Sequence, residues 1–378
     1  MHVGVPKESK DQERRAGMTP AGVRELVARG HAVLVEQGVG EGVGMPDTAY
    51  AAAGARIVPS AADVFAKAEL IVKVKELQPH ERGWLRPKQI LFAYLHLAPD
   101  RPQAEALLAS GAVAIAYETV TGPGGTLPLL APMSEIAGRM AVQVGAAYLE
   151  SPRGGRGVLL GGVPGVEPGH VVVLGAGTAG RNASQMAIGL GARVTVLNRG
   201  VQHLRELDQA HGNRITTRIA HGDSIEESVL AADLVIGAVL EPGAAAPRLV
   251  DRSTVARMRP GAVVVDIAID QGGCFETSRP TTHTDPVYRE CGVLHYCVTN
   301  MPGAVARTST LALTQATLPF VCALADLGWR NALARDSHLR SGLNICEGHV
   351  ACAPVAAALG LPWHPAEVSN PGRQGGNP

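Results

Sequence analysis

Three short stretches of the sequence place ionisable side chains at the ends of apolar runs, where they could do chemistry. Lys73 and Lys75 lie in LIVKVKE, and they share one face if that run is a strand, because side chains alternate along a strand. His96 closes ILFAYLH, and Asp266 and Asp270 lie in AVVVDIAIDQGG, before a pair of glycines. Open α/β sheets bind ligands at the carboxyl ends of their strands. The three stretches therefore predict a site that combines lysine, histidine and aspartate side chains.

The segment QERR near the amino terminus adds a candidate binding group for an anion. Either Arg14 or Arg15 could hold a carboxylate through paired hydrogen bonds, although a loop arginine can also be simply solvated. His96 has a structural alternative too, in which its hydrogen bonds only support the fold. Lys73 and Lys75 are costly to bury unless they serve an anion. These residue types suit the recognition of a small acid.

A glycine-rich sequence between two apolar runs, VVVLGAGTAGRNASQMAIGLGARVTVLNRG, predicts a dinucleotide site. Gly175 would allow a tight turn, Gly177 would let a pyrophosphate approach the backbone, and Gly180 would let a helix pack closely on its strand. The next strand ends at Asn198, which can bond a ribose hydroxyl but lacks the charge that repels a 2′-phosphate. Arg199 could pair with such a phosphate or point to solvent. The choice between NAD(H) and NADP(H) therefore stays open.

These groups together fit one reaction, hydride transfer between a nicotinamide and a 2-oxo acid. The acid needs a cation for its carboxylate, a group that polarises its carbonyl, and a proton relay. An arginine, a lysine, a histidine and an aspartate supply those parts.

Strands alternate with helix-period segments along most of the chain, which predicts parallel sheets joined by right-handed crossovers. The Gly- and Pro-rich segment TGPGGTLPLLAP interrupts the first series, and a long helix with Ser134 as its N-cap precedes the second. The predicted fold class is α/β, with two Rossmann-like, doubly wound parallel-sheet domains and an interdomain active-site cleft. Residues 1–130 and 305–378 would form a discontinuous substrate domain, and residues 131–304 a dinucleotide-binding domain.

Length and composition argue against several other classes of protein. The chain has 378 residues, enough for two domains, and its 34 basic residues balance its 34 acidic residues, unlike a nucleic-acid binder. We see no secretory signal, and no uninterrupted apolar run approaches the roughly 18 residues of a membrane span. The six cysteines form no CxxC pair. We expect a cytoplasmic protein with a small-molecule substrate, no metal site, and no nucleic-acid or membrane partner.

Over nearly its whole length the sequence resembles the alanine dehydrogenase family, which is related to the transhydrogenase alpha subunit. The resemblance is carried, in order, by VGVPKE, RRAGMTPAGV, LIVKVKE, ILFAYLHLA, AYETV, LPLLAPMSEIAGR, GGRGVLLGGVPGVEP, VVVLGAGTAG, ADLVIGAVL, PGAVVVDIAIDQGG and NMPGAV. It is weaker after Trp329. It implies reversible oxidative deamination of L-alanine to pyruvate and ammonia with a nicotinamide coenzyme, in a homo-oligomer that is typically a hexamer.

The resemblance also implies a role for each candidate residue. Arg15 and Lys75 would hold the carboxylate and carbonyl of the substrate, and His96 would be the general acid/base. Asp270 would orient water or ammonia, and Tyr94 stands beside the substrate where phenylalanine is more usual. The implied coenzyme contacts are Ser134, Gly175, Gly177, Thr178, Ala179, Gly180, Val239, Leu240, Ile267, Asn300 and Met301.

Three departures from the family pattern fall in the adenosine-binding half. Asn198 stands where the family usually has aspartate, His203 where a basic residue is common, and Ala220 where serine is common. Arg199 adjoins the first of them. Their clustering predicts altered coenzyme handling rather than loss of catalysis.

Other functions remain open from the sequence. The same reaction could act on glycine and glyoxylate, or on another small 2-oxo acid, with NADP(H), because a pocket distinguishes one methylene by only about 1–3 kcal/mol. A transhydrogenase-type nucleotide-binding module would share the fold, bind no organic acid and need a membrane partner. A non-catalytic nucleotide sensor is a further alternative.

Overall fold

The computed structural model describes residues 1–239 and 246–366. The strands of these residues, in chain order, are β1 (His2–Val5), β2 (Ala32–Glu36), β3 (Arg56–Val58), β4 (Leu70–Val72), β5 (Ile90–Ala93), β6 (Val113–Ala116), β7 (His170–Leu174), β8 (Arg193–Asn198), β9 (Thr216–Ile219), β10 (Leu234–Gly237), β11 (Val263–Asp266), β12 (Val287–Glu290), β13 (Val293–Tyr296), β14 (Leu343–Cys346) and β15 (His349–Val350). The helices are α1 (Pro20–Ala28), α2 (Asp47–Ala52), α3 (Ala61–Lys67), α4 (Arg101–Ser110), α5 (Ala131–Tyr148), α6 (Thr178–Gly189), α7 (Val201–His211), α8 (Gly222–Ala231), α9 (Arg252–Arg257), α10 (Ala306–Arg335), α11 (Ser337–Arg340) and α12 (Ala353–Leu359).

The chain divides into two compact units. Residues 1–133 and 305–378 form the first unit, and residues 134–304 form the second. The chain passes from the first unit to the second within α5, and it returns just before α10.

The first unit is built on an eight-stranded sheet in the order β15-β14-β6-β5-β4-β1-β2-β3. The six strands from β6 to β3 are parallel, whereas β14 and β15 pair antiparallel at one edge. Strands β4, β5 and β6 are continuous apolar runs with every residue buried, as expected when helices cover both faces of a parallel sheet. Strand order reverses between β1 and β4, which is where an open α/β sheet is expected to bind a ligand.

The second unit has a seven-stranded sheet in the order β12-β13-β11-β10-β7-β8-β9. Its six parallel strands follow the 3-2-1-4-5-6 arrangement of a dinucleotide-binding fold, with β7 first and the reversal between β7 and β10. Among the described strands of this second sheet, only β12, at the edge, is antiparallel. The predicted α/β class with two doubly wound domains is confirmed, and both sheets carry antiparallel edge strands that we did not predict.

One helix differs from the sequence-based expectation, and a second is unusually long and apolar. Helix α5 begins at Ala131, so Ser134 lies within its first turn, and the prediction of Ser134 as N-cap is wrong. Helix α10 has 30 residues, and the stretch Met301–Arg335 is long and apolar enough to span a membrane by length and composition alone. The core helix of a globular unit passes the same test. Helix α10 packs against α1, β4 and α11 and buries residues such as Leu313 and Val321, and 39 % of the apolar window is buried.

Candidate active site and coenzyme site

Arg15 lies in the loop between β1 and α1, and its side chain is buried. The side chain is 2 % exposed, and Nε and Nη2 donate to the two carboxylate oxygens of Glu13 at 2.7 and 2.5 Å. Burial disfavours the charged form, but the hydrogen bond and attraction to Glu13 outweigh it, so the pKa of Arg15 is raised. Nη1 contacts Met133 Sδ at 3.1 Å, and a thioether is a weak acceptor that a substrate carboxylate could replace. Arg14 is exposed, so Arg15 is the better candidate for the carboxylate.

Lys73 and Lys75 lie in the segment after β4, and their environments differ. Lys73 is fully buried, with Nζ 2.7 Å from Glu81 Oε1 and 3.5 Å from Glu8 Oε2. Burial alone would lower the pKa of Lys73, but the attraction of the two carboxylates raises it instead. Lys75 is partly exposed. The prediction that the two lysines share a strand face is wrong, because β4 ends at Val72, and the anions that Lys73 serves belong to the chain itself.

Glu8 connects this buried ion pair to the segment that carries Lys75. Its Oε1 accepts hydrogen bonds from the backbone N–H groups of Val74 at 2.6 Å and Lys75 at 3.3 Å. Burial raises the pKa of Glu8, and attraction to Lys73 opposes that shift. Glu8 therefore holds the main chain at Lys75 in place while Lys73 offsets its charge.

His96 follows β5 with a left-handed backbone, φ +47°, which is unfavourable for a residue other than glycine. Glu118 stabilises this conformation, since its Oε1 accepts from the backbone N–H of His96 at 2.7 Å and of Leu95 at 3.2 Å. The same oxygen lies 4.0 Å from His96 Nδ1, while the imidazole is 47 % exposed. An accessible imidazole beside a carboxylate suits proton transfer to and from a substrate.

Tyr94 is a buried residue that lies beside His96. Its ring is stacked with that of His96, with centroids 6.0 Å apart and planes 8° apart. The hydroxyl donates to the carbonyl of Leu129 at 2.5 Å. Burial raises the pKa of Tyr94, although attraction to Arg15 opposes it, so the phenol stays neutral. The hydroxyl that distinguishes Tyr94 from phenylalanine is thus bound to the protein backbone.

Sequence reasoning missed the three acids that orient these groups, Glu8, Glu13 and Glu118. Glu8 and Glu118 lie in VGVPKE and AYETV, which carry the family resemblance, and Glu13 directly precedes another such stretch, RRAGMTPAGV. Glu8 pairs with Lys73, which is 65 residues away in the sequence, and Glu118 binds His96, which is 22 residues away. The pairing of Glu13 with Arg15 depends on the shape of their loop. Residue type and spacing therefore do not reveal these pairings.

In the second unit the glycine-rich turn has the geometry that a pyrophosphate requires. Gly175 has φ +107°, and a Cβ there would lie 2.6 Å from the carbonyl oxygen of Ala238. A Cβ on Gly180 would lie 1.9 Å from the carbonyl oxygen of Gly175. A Cβ on Gly177 would meet nothing within 4 Å, so the protein's own packing does not explain this glycine. The open space over Gly177 fits a phosphate group that approaches the backbone.

The amino terminus of α6 completes this phosphate cradle. Gly177 is the N-cap residue and makes no side-chain capping bond, and Thr178 is exposed while Ala179 is partly exposed. The first N–H groups of α6 therefore face the cradle without a protein cap, as in helix termini that bind phosphates.

Asn198 ends β8, and both the oxygen and the nitrogen of its side-chain amide form hydrogen bonds with the backbone. Oδ1 accepts from the backbone N–H of Ala176 at 3.1 Å, and Nδ2 donates to the carbonyl of Gly200 at 2.9 Å. Its own carbonyl accepts from the backbone N–H of Ala220 at 3.0 Å. Arg199 is exposed. This end of the sheet thus presents an amide and a guanidinium, with no carboxylate at residue 198.

Arg181, which sequence reasoning did not single out, lies beside the same turn. Its Nε donates to the carbonyl of Ala176 at 3.0 Å, and its Nη2 donates to His203 Nδ1 at 2.6 Å. Nη2 also forms a short ion pair with Glu206. The sequence feature that could have identified Arg181 is its position directly after the third glycine, in the first turn of the helix that faces the phosphates. His203 therefore lies beside the Arg181–Glu206 ion pair, which the sequence analysis did not predict.

Asp266 and Asp270 have different environments. Asp266 is fully buried at the end of β11 and accepts hydrogen bonds from the N–H of Ala268 at 3.0 Å, the N–H of Cys274 at 2.8 Å and the hydroxyl of Ser278 at 2.6 Å. Burial raises its pKa, opposed by these hydrogen bonds. Asp270 is exposed in the short 3₁₀ helix that follows. Asp266 therefore organises the loop, and Asp270 is the acid available for chemistry.

The remaining predicted coenzyme contacts lie at the ends of strands or helices of the second unit, or in the first turn of α5. Val239 and Ile267 are partly exposed after β10 and β11, and Asn300 has a left-handed backbone with φ +61° just before the buried Met301. Ser134 is partly exposed. Leu240, also predicted as a coenzyme contact, lies outside the described residues.

Family models match both parts of the chain. The model described as "Alanine dehydrogenase/PNT, N-terminal domain" matches residues 4–137, and that described as "Alanine dehydrogenase/PNT, C-terminal domain" matches residues 141–353.

Curated relatives match over almost their full lengths. The chain is 56 % identical over 363 residues to a protein named alanine dehydrogenase from Halomonas elongata, with 96 % of this chain and 98 % of the relative covered. It is 56 % identical over 369 residues to the alanine dehydrogenase of Mycobacterium tuberculosis strain H37Rv, with 97 % and 100 % covered.

Solved structures agree with these similarities. A structure titled L-alanine dehydrogenase has a TM-score of 0.92 at 50 % identity and covers 95 % of this chain and 99 % of its own. A transhydrogenase from Sinorhizobium meliloti has a TM-score of 0.78 at 25 % identity, covering 93 % and 99 %. The similarity is therefore much greater to the dehydrogenases.

Proposed function

The chain belongs to the alanine dehydrogenase/PNT family, and we propose that it catalyses the reversible oxidative deamination of L-alanine to pyruvate and ammonia. The observation that carries this proposal is identity of 50–56 % over nearly the whole chain to relatives named alanine dehydrogenase. The chain is a nicotinamide-dependent oxidoreductase with small-molecule substrates. Identity of only 25 % to a transhydrogenase favours this function over a transhydrogenase-type module.

We assign substrate binding to residues 1–130 with 305–378, and coenzyme binding to residues 131–304. Arg15 binds the substrate carboxylate, for which its orientation by Glu13 and the exchangeable Met133 contact provide support. Lys75 binds and polarises the carbonyl oxygen. Tyr94 borders the substrate through its ring, since its hydroxyl is bound to Leu129.

His96 is the general acid/base in this proposal. In the direction of amination, ammonia attacks the carbonyl carbon of pyruvate while protonated His96 donates its proton to the carbonyl oxygen. The new ammonium nitrogen returns a proton to His96, which gives a neutral carbinolamine. His96 then donates that proton to the carbinolamine hydroxyl, which leaves as water, and the protonated imine remains; Asp270 orients first the ammonia and then the leaving water. The bound coenzyme supplies the hydride that reduces the imine carbon. Lys75 and Arg15 hold the acid throughout, so that the reacting carbon does not move.

The coenzyme is held by the cradle of Gly175, Gly177 and Gly180 with the N–H groups of Thr178 and Ala179. The open space over Gly177 and the uncapped start of α6 support this assignment. Further contacts are assigned to Ser134, Asn198, Arg199, His203, Val239, Ile267, Asn300 and Met301.

NADPH serves this enzyme at least as well as NADH in our proposal. Asn198 bears no charge that would repel a 2′-phosphate, and Arg199 beside it is exposed and cationic. The test is reductive amination of pyruvate, run side by side with NADH and NADPH. A preference for NADH of about a hundredfold or more, near 2.7 kcal/mol, would reject the coenzyme proposal. Absence of pyruvate-dependent oxidation with both coenzymes would reject the dehydrogenase function itself.

We further propose a cytoplasmic homohexamer, on the basis of the family alone. Light scattering coupled to size-exclusion chromatography tests the assembly, and a mass of one or two chains would reject it. Cell fractionation with activity measurement tests the location.

A further inference from the structure

An ion pair between Arg181 in α6 and Glu206 in α7, here called the 181/206 pair, lies beside the glycine-rich turn. Both side chains are only partly exposed, at 37 % and 38 %. Gln202 donates to the other oxygen of Glu206 at 3.3 Å, and His203 Nδ1 lies 3.6 Å from Glu206 Oε2. The hydrogen bond from Arg181, with that from Gln202, holds the pKa of Glu206 below its ordinary value, so the pair is ionised at neutral pH.

The 181/206 pair is tied to the residue that marks the ribose subsite. Ala176 in the turn donates its N–H to Asn198 Oδ1 at 3.1 Å and accepts at its carbonyl from Arg181 Nε at 3.0 Å. One residue of the turn therefore joins the end of β8 to the Arg181 guanidinium. Arg199, the next residue after Asn198, is exposed and supplies a second cation at the same end of β8.

This subsite contains a carboxylate that would compete with a phosphate for Arg181. Arg181 and Arg199 supply two positive charges, and Glu206 supplies one negative charge that is already bound to Arg181. A guanidinium has a fork of donors that suits a phosphate or a carboxylate, and it stays charged at all physiological pH values. A 2′-phosphate and the Glu206 carboxylate are therefore rival ligands for the same group.

We propose that Arg181 is a binding residue for the coenzyme 2′-phosphate, and that Glu206 sets the preference between NADP(H) and NAD(H) by competing for Arg181. The proposal rests on the nicotinamide-coenzyme function proposed above. Binding of NADP(H) replaces the 181/206 pair by an Arg181–phosphate pair, whereas binding of NAD(H) leaves it intact. The carboxylate that is absent at residue 198 is thus present at residue 206, where it acts through Arg181.

The measurement is the ratio of kcat/KM for NADPH to kcat/KM for NADH, with pyruvate and ammonia saturating. Glu206→Gln keeps the size of the side chain and removes its charge, and we expect the ratio to rise about fivefold or more, equivalent to about 1 kcal/mol. Arg181→Gln should lower the ratio by a similar factor. The control is Glu226→Gln, which neutralises another partly exposed acid of the same unit, paired with Arg257 at 2.6 Å. That control should leave the ratio unchanged.

The double variant separates competition from a general charge effect. With Arg181 already replaced by Gln, Glu206→Gln should no longer raise the ratio, because the contested group is gone. A pair that only joined α6 to α7 would change stability in the single variants without changing the ratio. An unchanged or lower ratio in Glu206→Gln, or a full rise in the double variant, would overturn the proposal.

A binding measurement makes the test independent of turnover. Calorimetric titration with adenosine 2′,5′-bisphosphate should show about fivefold tighter binding to Glu206→Gln than to the wild type, while ADP binding changes less. If this result is obtained and the wild type turns over no pyruvate with either coenzyme, the dehydrogenase function fails and the subsite stands. If Glu206→Gln binds the bisphosphate no more tightly than the wild type, the subsite proposal is wrong whatever the turnover.

Discussion

Replacing Lys73 by Met should destabilise the first unit without removing a group that touches the substrate. The Lys73 side chain and its partners Glu8 and Glu81 are at most 1 % exposed, so solvent does not screen the ion pairs at 2.7 and 3.5 Å. Methionine fills a similar volume but leaves two buried carboxyls without their cation. Removal of one partner of a buried pair costs about 3–5 kcal/mol, and we expect a loss in that range at pH 8.

The loss should shrink as the pH falls. The pKa of Glu8 is already raised above its ordinary value of 4.5 by burial, against the opposing attraction of Lys73. Without Lys73 that opposition is gone, so the folded-state pKa rises further. A carboxyl whose pKa is raised on folding stabilises the folded state below its ordinary pKa and loses that contribution as the pH rises through the folded value. The recovery on acidification is about 1.4 kcal/mol per pH unit for each carboxyl that is protonated only in the folded state.

Urea unfolding followed by tryptophan fluorescence is the assay, because Trp84, Trp329 and Trp363, the three tryptophans of the chain, all lie in the first unit. The matched control is the same substitution at the partly exposed Lys75, which should cost under about 1 kcal/mol of stability. Lys75→Met should instead lower kcat about a hundredfold or more, as expected when a group that polarises the carbonyl is removed. A loss of less than about 1 kcal/mol in Lys73→Met, or a loss that does not depend on pH, would refute the reasoning.

Three further predictions concern the glycine-rich turn of the second unit, the acid/base His96 and the carboxylate of Glu118 that orients it. Gly180→Ala should destabilise the second unit, because its Cβ would lie 1.9 Å from the Gly175 carbonyl oxygen, whereas Gly177→Ala should fold normally and weaken coenzyme binding. Thermal unfolding and coenzyme titration check both, and equal stability of the two variants would contradict the assignment. His96→Ala should abolish turnover while coenzyme binding is kept. Glu118→Ala should lower kcat with a smaller change in the KM for pyruvate. Glu118→Gln keeps an oxygen that can accept the N–H of His96, so it should restore much of the rate. If the Gln variant is no faster than the Ala variant, the hydrogen bond to His96 is not the cause of the loss.

Several features of the fold follow from local sequence. Strand β7 and the turn at Gly175 were predictable because a continuous apolar run, spaced glycines and a following helix period form one contiguous motif. The edge strands β12, β14 and β15 were not predicted, since a short strand at an edge owes its conformation to the neighbour with which it pairs. The start of α5 was misplaced by four residues, because a good N-cap residue is only a local preference.

By itself the sequence determined the α/β class, the position of the glycine cradle and the residue types available for chemistry, since each depends on neighbours along the chain. Only the tertiary structure decided which of those residues are engaged with the protein itself. It pairs Lys73 with Glu81, orients His96 through Glu118, and places Arg181 against Glu206. The physical reason is that the energy of a charge depends on its burial and on the nearest opposite charge, and folding brings that partner from 8 to 25 residues away.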